Sequence, residues 1–321
     1  MNTYILSISL AYFLTRFFSE KSYQLAKKFN FLTYPDKDNI FPTPVLYNYT
    51  CFIVIIPTII VFFATILISD KFKNLFLNEI FYFSSIFIVM IVSSFILILI
   101  KKKYISFLLV SLFNTFIVYK NSISLKPEIF GHYDIFFIFL WFSFFLLVFN
   151  RGKSFVGTSY LMNSLITITL AIISFYLNQT ILTNLYLIIG ISLLCIFRFS
   201  YSPPRILPGA NFSLWFASVL GFMSIISNVK LTTLALLLII PLSELIDFRK
   251  NKKNLDYSML IKGIPEKKVN FFIMVIQVVF GLSAFIAVHL KNEIISFSIF
   301  ITLFLVLFLF NNINFKENVR K

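Results

Sequence analysis

Long apolar runs, each ended by a short polar or basic segment, recur along the whole chain. Eleven are legible: 3–19, 45–69, 78–100, 104–119, 134–149, 155–176, 181–198, 212–228, 230–246, 269–290 and 293–310. A helix needs about 20 residues to cross a hydrocarbon core, and some of these runs are shorter. Inside lipid such runs must satisfy their own backbone hydrogen bonds, which leaves helices as the only solution. The pattern predicts an all-α, polytopic integral membrane protein with about eleven transmembrane helices. No repeat or low-complexity linker interrupts it, so one transmembrane domain is expected over residues 1–321. The first run has no small-residue cleavage site and leads into a basic stretch, so it reads as a retained helix.

Charge gives this array a direction. The chain carries 28 Lys and Arg against 13 Asp and Glu, a net charge of +15. If the N-terminus is outside, 22 of the basic residues fall in inner segments and 6 in outer ones. The positive-inside rule then places the N-terminus outside and the C-terminus in the cytoplasm. Basic loops beside anionic headgroups account for the net charge without a nucleic-acid partner. Only 13% of residues are charged, against about 25% in a soluble domain. Most aromatic residues are Phe (44 of them), which suits lipid-facing surfaces better than a ligand cage. Cys51 and Cys195 both sit in apolar runs, so a disulfide framework or a metal cluster is not expected. His132 and His289 fall on the outer side, and no Ser-His-Asp set, Walker loop or zinc spacing is present.

Five segments share the inner face: 20–44, 100–103, 150–158, 198–211 and 247–268. Arg151, Lys153, Arg198 and Arg205 together suit a phosphate-bearing ligand, since Arg pairs bidentately with phosphate. The same residues also read as plain markers of topology, and both readings stay open on residue type alone. Glu244 and Asp247 lie one helical turn apart near the inner end of the ninth run. They are candidate acids, with Arg249 and Lys250 as ready ion-pair partners.

The sequence PPRILPGANFSLWFA (203–217) resembles the P-A-K/R-I-F-M-G-D-x-G-S-L-F-L-G segment of the polyprenyl-phosphate N-acetylhexosamine-1-phosphate transferases. Pro203, Arg205, Ile206, Gly209, Ser213 and Leu214 match, while Ala210 replaces the family's Asp and Phe212 a Gly. Residues 149–161, FNRGKSFVGTSYL, resemble the N-x-x-D-G-x-D-G-L turn, keeping Asn150 and Gly157 but with Lys153 and Val156 for both acids. Residues 26–45 resemble the first inner loop, matching at Ala26, Pro35, Pro42, Thr43 and Pro44, with Thr33, Asp38 and Phe41 in place of Asp, Arg and His. PLSELIDFRK (241–250) resembles P-x-x-D-x-x-x-x-x-x-R, with Glu244 at the acid's position. Residues 254–269 keep Leu260, Gly263 and Val269 of a His-rich loop, with Asn254, Asp256 and Tyr257 for its histidines.

The resemblance implies a ten- or eleven-span fold in a bacterial cytoplasmic membrane. It also implies transfer of a sugar-1-phosphate from a UDP-sugar onto undecaprenyl phosphate with Mg²⁺, in cell-envelope polysaccharide synthesis. Against that activity, the Asp pair the family has at the inner end of its third span is here SSFILILIKKK, and no acid occurs between Glu79 and Glu128. Mg²⁺ wants carboxylate oxygens. The expectation is therefore a catalytically degenerate member with no metal and no cofactor. It would bind a membrane lipid, in particular polyprenyl phosphate, through Asn150, Arg151, Lys153, Arg198, Arg205, Gly209 and Ser213. A nucleotide-sugar, an active homologous enzyme or a second copy are further partners the resemblance implies. Two alternatives stand beside it: an active, divergent Mg²⁺-dependent transferase, or an unrelated lipid carrier or flippase.

Overall fold

The computed structural model describes residues 2–33, 44–46, 49–100, 102–121, 123, 133–150, 158–201, 203–227, 229, 231–242, 265–290 and 293–316. Among these residues there is no strand, only helices and two isolated backbone bridges. The chain divides into two units, Met1–Asn228 and Val229–Lys321. The first contains α1 (Asn2–Lys28), α2 (Thr50–Ile68), α3 (Asp70–Asn78), α4 (Ile80–Leu99), α5 (Lys103–Lys120), α6 (Asp134–Asn150), α7 (Thr158–Tyr176), α8 (Thr180–Ser200) and α9 (Ala210–Ile226). The second contains α10 (Leu231–Leu237), α11 (Glu266–His289) and α12 (Glu293–Lys316).

Among the described residues, four helices are long and apolar enough to cross a membrane: α2, α7, α8 and residues 267–289 of α11. The pair α3–α4, bent by 88°, makes a fifth if it counts as one span. Shorter apolar helices occupy 104–120, 134–149, 211–226 and 294–307. The chain is thus an α-helical membrane protein. Eleven crossings, the number expected from the runs, exceeds what the length and composition of these helices establish.

Two differences from the run pattern have local causes. α1 continues nine residues past its apolar run, through Glu20–Lys28, because nothing there breaks a helix until Asn30. Asn30 adopts φ 57°, and Phe31 N–H donates back to the Ala26 carbonyl (2.8 Å), the left-handed turn that closes many helices. The polar stretch 70–78, which reads as a loop, is the helix α3. Its Phe72 and Phe76 are four apart and meet Tyr4 and Phe62 respectively edge to face, while Lys71 and Lys73 face outward.

Packing in unit one uses small and hydroxylated residues, as expected where lipid supplies no hydrophobic drive between helices. α1 runs antiparallel to α2, with Ser7 and Thr65 hydroxyls 3.0 Å apart. It runs parallel to α8, where the Thr15 hydroxyl donates to Ser192 (2.9 Å) and the Cys195 thiol to the Tyr12 carbonyl (3.6 Å). α7 and α8 form a tight hairpin. Ser164 donates to the Gly190 carbonyl (2.8 Å), and a Cβ at Gly190 would lie 2.8 Å from Ile168 Cγ1. α6 packs antiparallel on α9, with Trp141 Nε1–H donating to the Gly221 carbonyl (3.3 Å).

These pairings sort the helix termini. At one end, Tyr4 donates to the Thr180 carbonyl and packs on Phe72, and Gln179 donates to the Ser227 carbonyl (2.8 Å). At the other end, the Phe52 and Phe95 rings meet at 5.7 Å, Phe149 and Phe216 at 5.3 Å, and Tyr160 and Phe212 at 4.8 Å. The described flanks of 20–44, 100–103, 150–158 and 198–211 therefore share one end of the unit.

In unit two, α10 is followed by Pro241, which has no N–H to offer the carbonyl four residues back, Leu237. Gln277 of α11 supplies the missing donor, its Nε2 lying 3.2 Å from that oxygen. A polar residue on a neighbouring helix thus covers the bond that proline removes.

Candidate functional site

The helix α8 ends at Ser200, and Tyr201 turns the chain to extended geometry (φ −79°, ψ 154°). Pro203, Pro204 and Pro208 then hold the next residues out of the helical region. The Phe199 carbonyl, one of the last in α8 and without a helical partner, accepts from Arg205 N–H (2.9 Å) and Ile206 N–H (3.2 Å). On the other side, the Arg205 carbonyl accepts from Leu46 N–H (2.8 Å), and Leu207 N–H donates to the Leu46 carbonyl (3.0 Å). Val45 pairs in turn with Thr33, through bonds of 2.9 and 3.0 Å. Three extended pieces, around 33, 44–46 and 205–207, therefore form a small backbone ladder, parallel between Leu46 and Ile206 and antiparallel between Thr33 and Val45.

The ladder rests on an apolar floor. Ile206, Leu207, Phe212, Trp215 and Phe216 are buried, as are Pro204 and Pro208. Arg205 is exposed between them. Its backbone is held at both N–H and C=O, so its guanidinium is presented from a fixed base with the side chain in the open. Arg198 is exposed in the last turn of α8, where a cation also complements the helix dipole. Gly209 is buried and precedes α9 with φ −77° and ψ 169°, a conformation any residue adopts, so left-handed geometry is not what calls for glycine there. Ser213, 7% exposed, lies in the first turn of α9 and its N–H donates to the Gly209 carbonyl (3.2 Å).

Of the residues singled out from the sequence, Arg198, Arg205, Gly209 and Ser213 come together at this end. Asn150 closes α6 at the same end, with only its backbone described. Arg151, Lys153, Glu244 and Asp247 lie outside the described residues. The sequence pattern missed the ladder. Its partners are the dipeptides Val45-Leu46 and Ile206-Leu207, each next to a proline, which favours extended backbone but is too short to show any alternation. Tyr23 was missed as well; its hydroxyl donates to the Pro44 carbonyl (3.3 Å) and ties α1 to the same segment.

Among the described residues, the donors gathered here do not suit Mg²⁺. Around the α9 start they are guanidinium groups, a hydroxyl and backbone, not carboxylates. Among the described residues no group of three or more His, Cys, Asp or Glu is placed to hold a metal ion. Among the described residues of unit one, the acid at this end, Glu20, pairs with Arg16 at 3.4 Å, both side chains 48% exposed, a pairing worth little in stability. No protein-family model and no curated protein matches the chain.

Proposed function

We propose that the chain is a divergent polyprenyl-phosphate hexosamine-1-phosphate transferase that has lost catalysis and binds a lipid-linked phosphate. In this reading it crosses a bacterial cytoplasmic membrane eleven times, N-terminus outside, and the Arg205 end faces the cytoplasm. The observation that carries it is the ladder joining Leu46 to Ile206. It joins the segment 203–217 to Leu46, the residue that follows the segment 26–45, and Val45 of that segment pairs in turn with Thr33. These two segments most resemble that family, and Arg205 is presented beside the joint.

Arg205 is the primary phosphate ligand, with Arg198 and the α9 start completing the cationic end. A guanidinium on an immobile backbone gives up less freedom when it pairs bidentately with phosphate. Transfer itself asks for two phosphates positioned in line with their charge offset, and among the described residues no carboxylate set for a metal stands beside Arg205. The chain therefore serves as a binding or accessory protein, with a homologous active enzyme or a second copy as its working partner.

The test uses purified full-length protein with undecaprenyl phosphate, UDP-sugars and Mg²⁺. The expected outcome is saturable binding of undecaprenyl phosphate, weakened in Arg205→Ala, with no UMP produced. UMP release that disappears in Arg205→Ala would establish an active transferase. Binding indifferent to Arg205 removes the phosphate site.

A further inference from the structure

The same end of unit one carries an apolar cleft beside the Arg205 ladder, with Leu46 common to both. It measures about 480 Å³ and is lined by Leu25 and Ala26 of α1, by Phe29 and Phe31 just beyond it, by Leu46, and by Tyr49 and Phe52 at the start of α2. Three rings form one wall, Phe29 to Phe31 and Phe31 to Tyr49, each pair at 6.3 Å. Tyr49 enters that wall from a left-handed backbone (φ 67°), a conformation that bulky residues avoid. Phe29 and Phe31 are each 59% exposed, Leu25 53% and Tyr49 43%.

This wall lies beyond the point where α1 stops being apolar. The nine residues Glu20–Lys28 add about 13 Å of helix past residue 19 and carry Lys21, Lys27 and Lys28. Lys28 Nζ stands 5.9 Å from the Phe29 ring centre, at the edge of the cleft. Lys21 is next to Ser22, itself a cleft residue, and lies 5.9 Å from the Phe17 ring. Ammonium groups and an open aromatic slot thus share one rim. The slot takes a hydrocarbon chain and the rim takes a negative headgroup, a match of charge and apolar surface that a neutral lipid lacks. A second copy docked face to face on this cleft would bring its lysines against these, which is unfavourable.

We propose that the α1–α2 cleft is a site for one anionic phospholipid, its acyl chain along Phe29, Phe31 and Tyr49 and its phosphate at the Lys28 side of the rim, with Lys21 adding to the same positive field. The site adjoins the Arg205 ladder through Leu46 but does not use the Arg205 side chain. The test is native mass spectrometry of the full chain in detergent, titrated with phosphatidylglycerol or phosphatidylcholine of identical chains. Phosphatidylglycerol should be retained preferentially, and Lys21→Gln with Lys28→Gln should erase the preference, about fivefold for each lysine. Phe29→Ser with Phe31→Ser should weaken both lipids, and these exposed positions leave the core intact, which an unchanged melting temperature checks. Arg205→Ala should leave phosphatidylglycerol retention unchanged, so the cleft and the proposed phosphate loop fail independently. Equal retention of the two lipids, indifference to the lysine pair, loss of preference in Arg205→Ala, or a dimer that dissociates in Phe29→Ser each overturns the proposal.

Discussion

The two ends of unit one are closed by different kinds of bond. At the Asn178 end, the turn between α7 and α8 takes a few residues: Asn178 adopts φ 60°, and Gln179 N–H donates to the Ser174 carbonyl (2.9 Å). Side chains then lock that end, Gln179 onto the Ser227 carbonyl and Tyr4 onto the Thr180 carbonyl. At the Arg205 end, backbone pairs with backbone across Thr33, Val45, Leu46 and Ile206. An end locked by side chains spends them on structure. An end locked by backbone leaves its side chains available, and Arg205, Phe29 and Tyr49 are all turned outward there. This contrast is the reason ligand binding is proposed at the Arg205 end of the bundle.

The largest expected effect lies in the hairpin that both ends depend on. Gly190→Leu must displace Ile168 and Thr167, within 3.0 Å of the added Cβ, and overpacking of this kind costs about 3 kcal/mol. It should lower the melting temperature measured by size-exclusion after heating and disable both ends together. Arg205→Ala sharpens the contrast: melting is unchanged, while binding of undecaprenyl phosphate falls roughly 30-fold, about 2 kcal/mol for a charged hydrogen-bonded contact. Gln179→Ala should do the reverse. Losing its bond to the Ser227 carbonyl costs about 1 kcal/mol of stability, with lipid binding unaltered in the same titration. An effect of the same size is expected at Asn178, where Ala should cost about 1 kcal/mol for its left-handed backbone and Gly close to nothing. If Gln179→Ala weakened lipid binding as much as Arg205→Ala, the two ends would not be functionally distinct.

Particular residues show how far the sequence reads. The apolar runs located α2, α7, α8 and α11 because a buried or lipid-facing helix needs nothing beyond uniform hydrophobicity. They failed at α3, whose nine residues are polar by composition and helical because Phe72 and Phe76 find Tyr4 and Phe62 across the bundle. They also stopped α1 at residue 19, before the charged stretch that opens at Glu20, whereas the helix runs to Lys28, two residues short of Asn30, which takes the left-handed turn. The motif at 203–217 marked Arg205, Gly209 and Ser213, but not Leu46, whose role is carried by its backbone and leaves no trace in residue type. The same holds for Pro241 and Gln277. The proline is visible, but the glutamine that completes the Leu237 carbonyl is 36 residues further along the chain.

By itself the sequence determined that the chain is helical, membrane-embedded, and basic mainly in alternate connecting segments. Those properties follow from transfer free energy and charge, which each residue carries wherever it sits. Only the tertiary structure decided that Arg205 is pinned on both sides, that Thr33, Val45 and Ile206 form one ladder, and that an open aromatic cleft lies beside the lysines of α1. Each of these needs two distant segments at hydrogen-bond or van der Waals range, and that distance is set by helix packing.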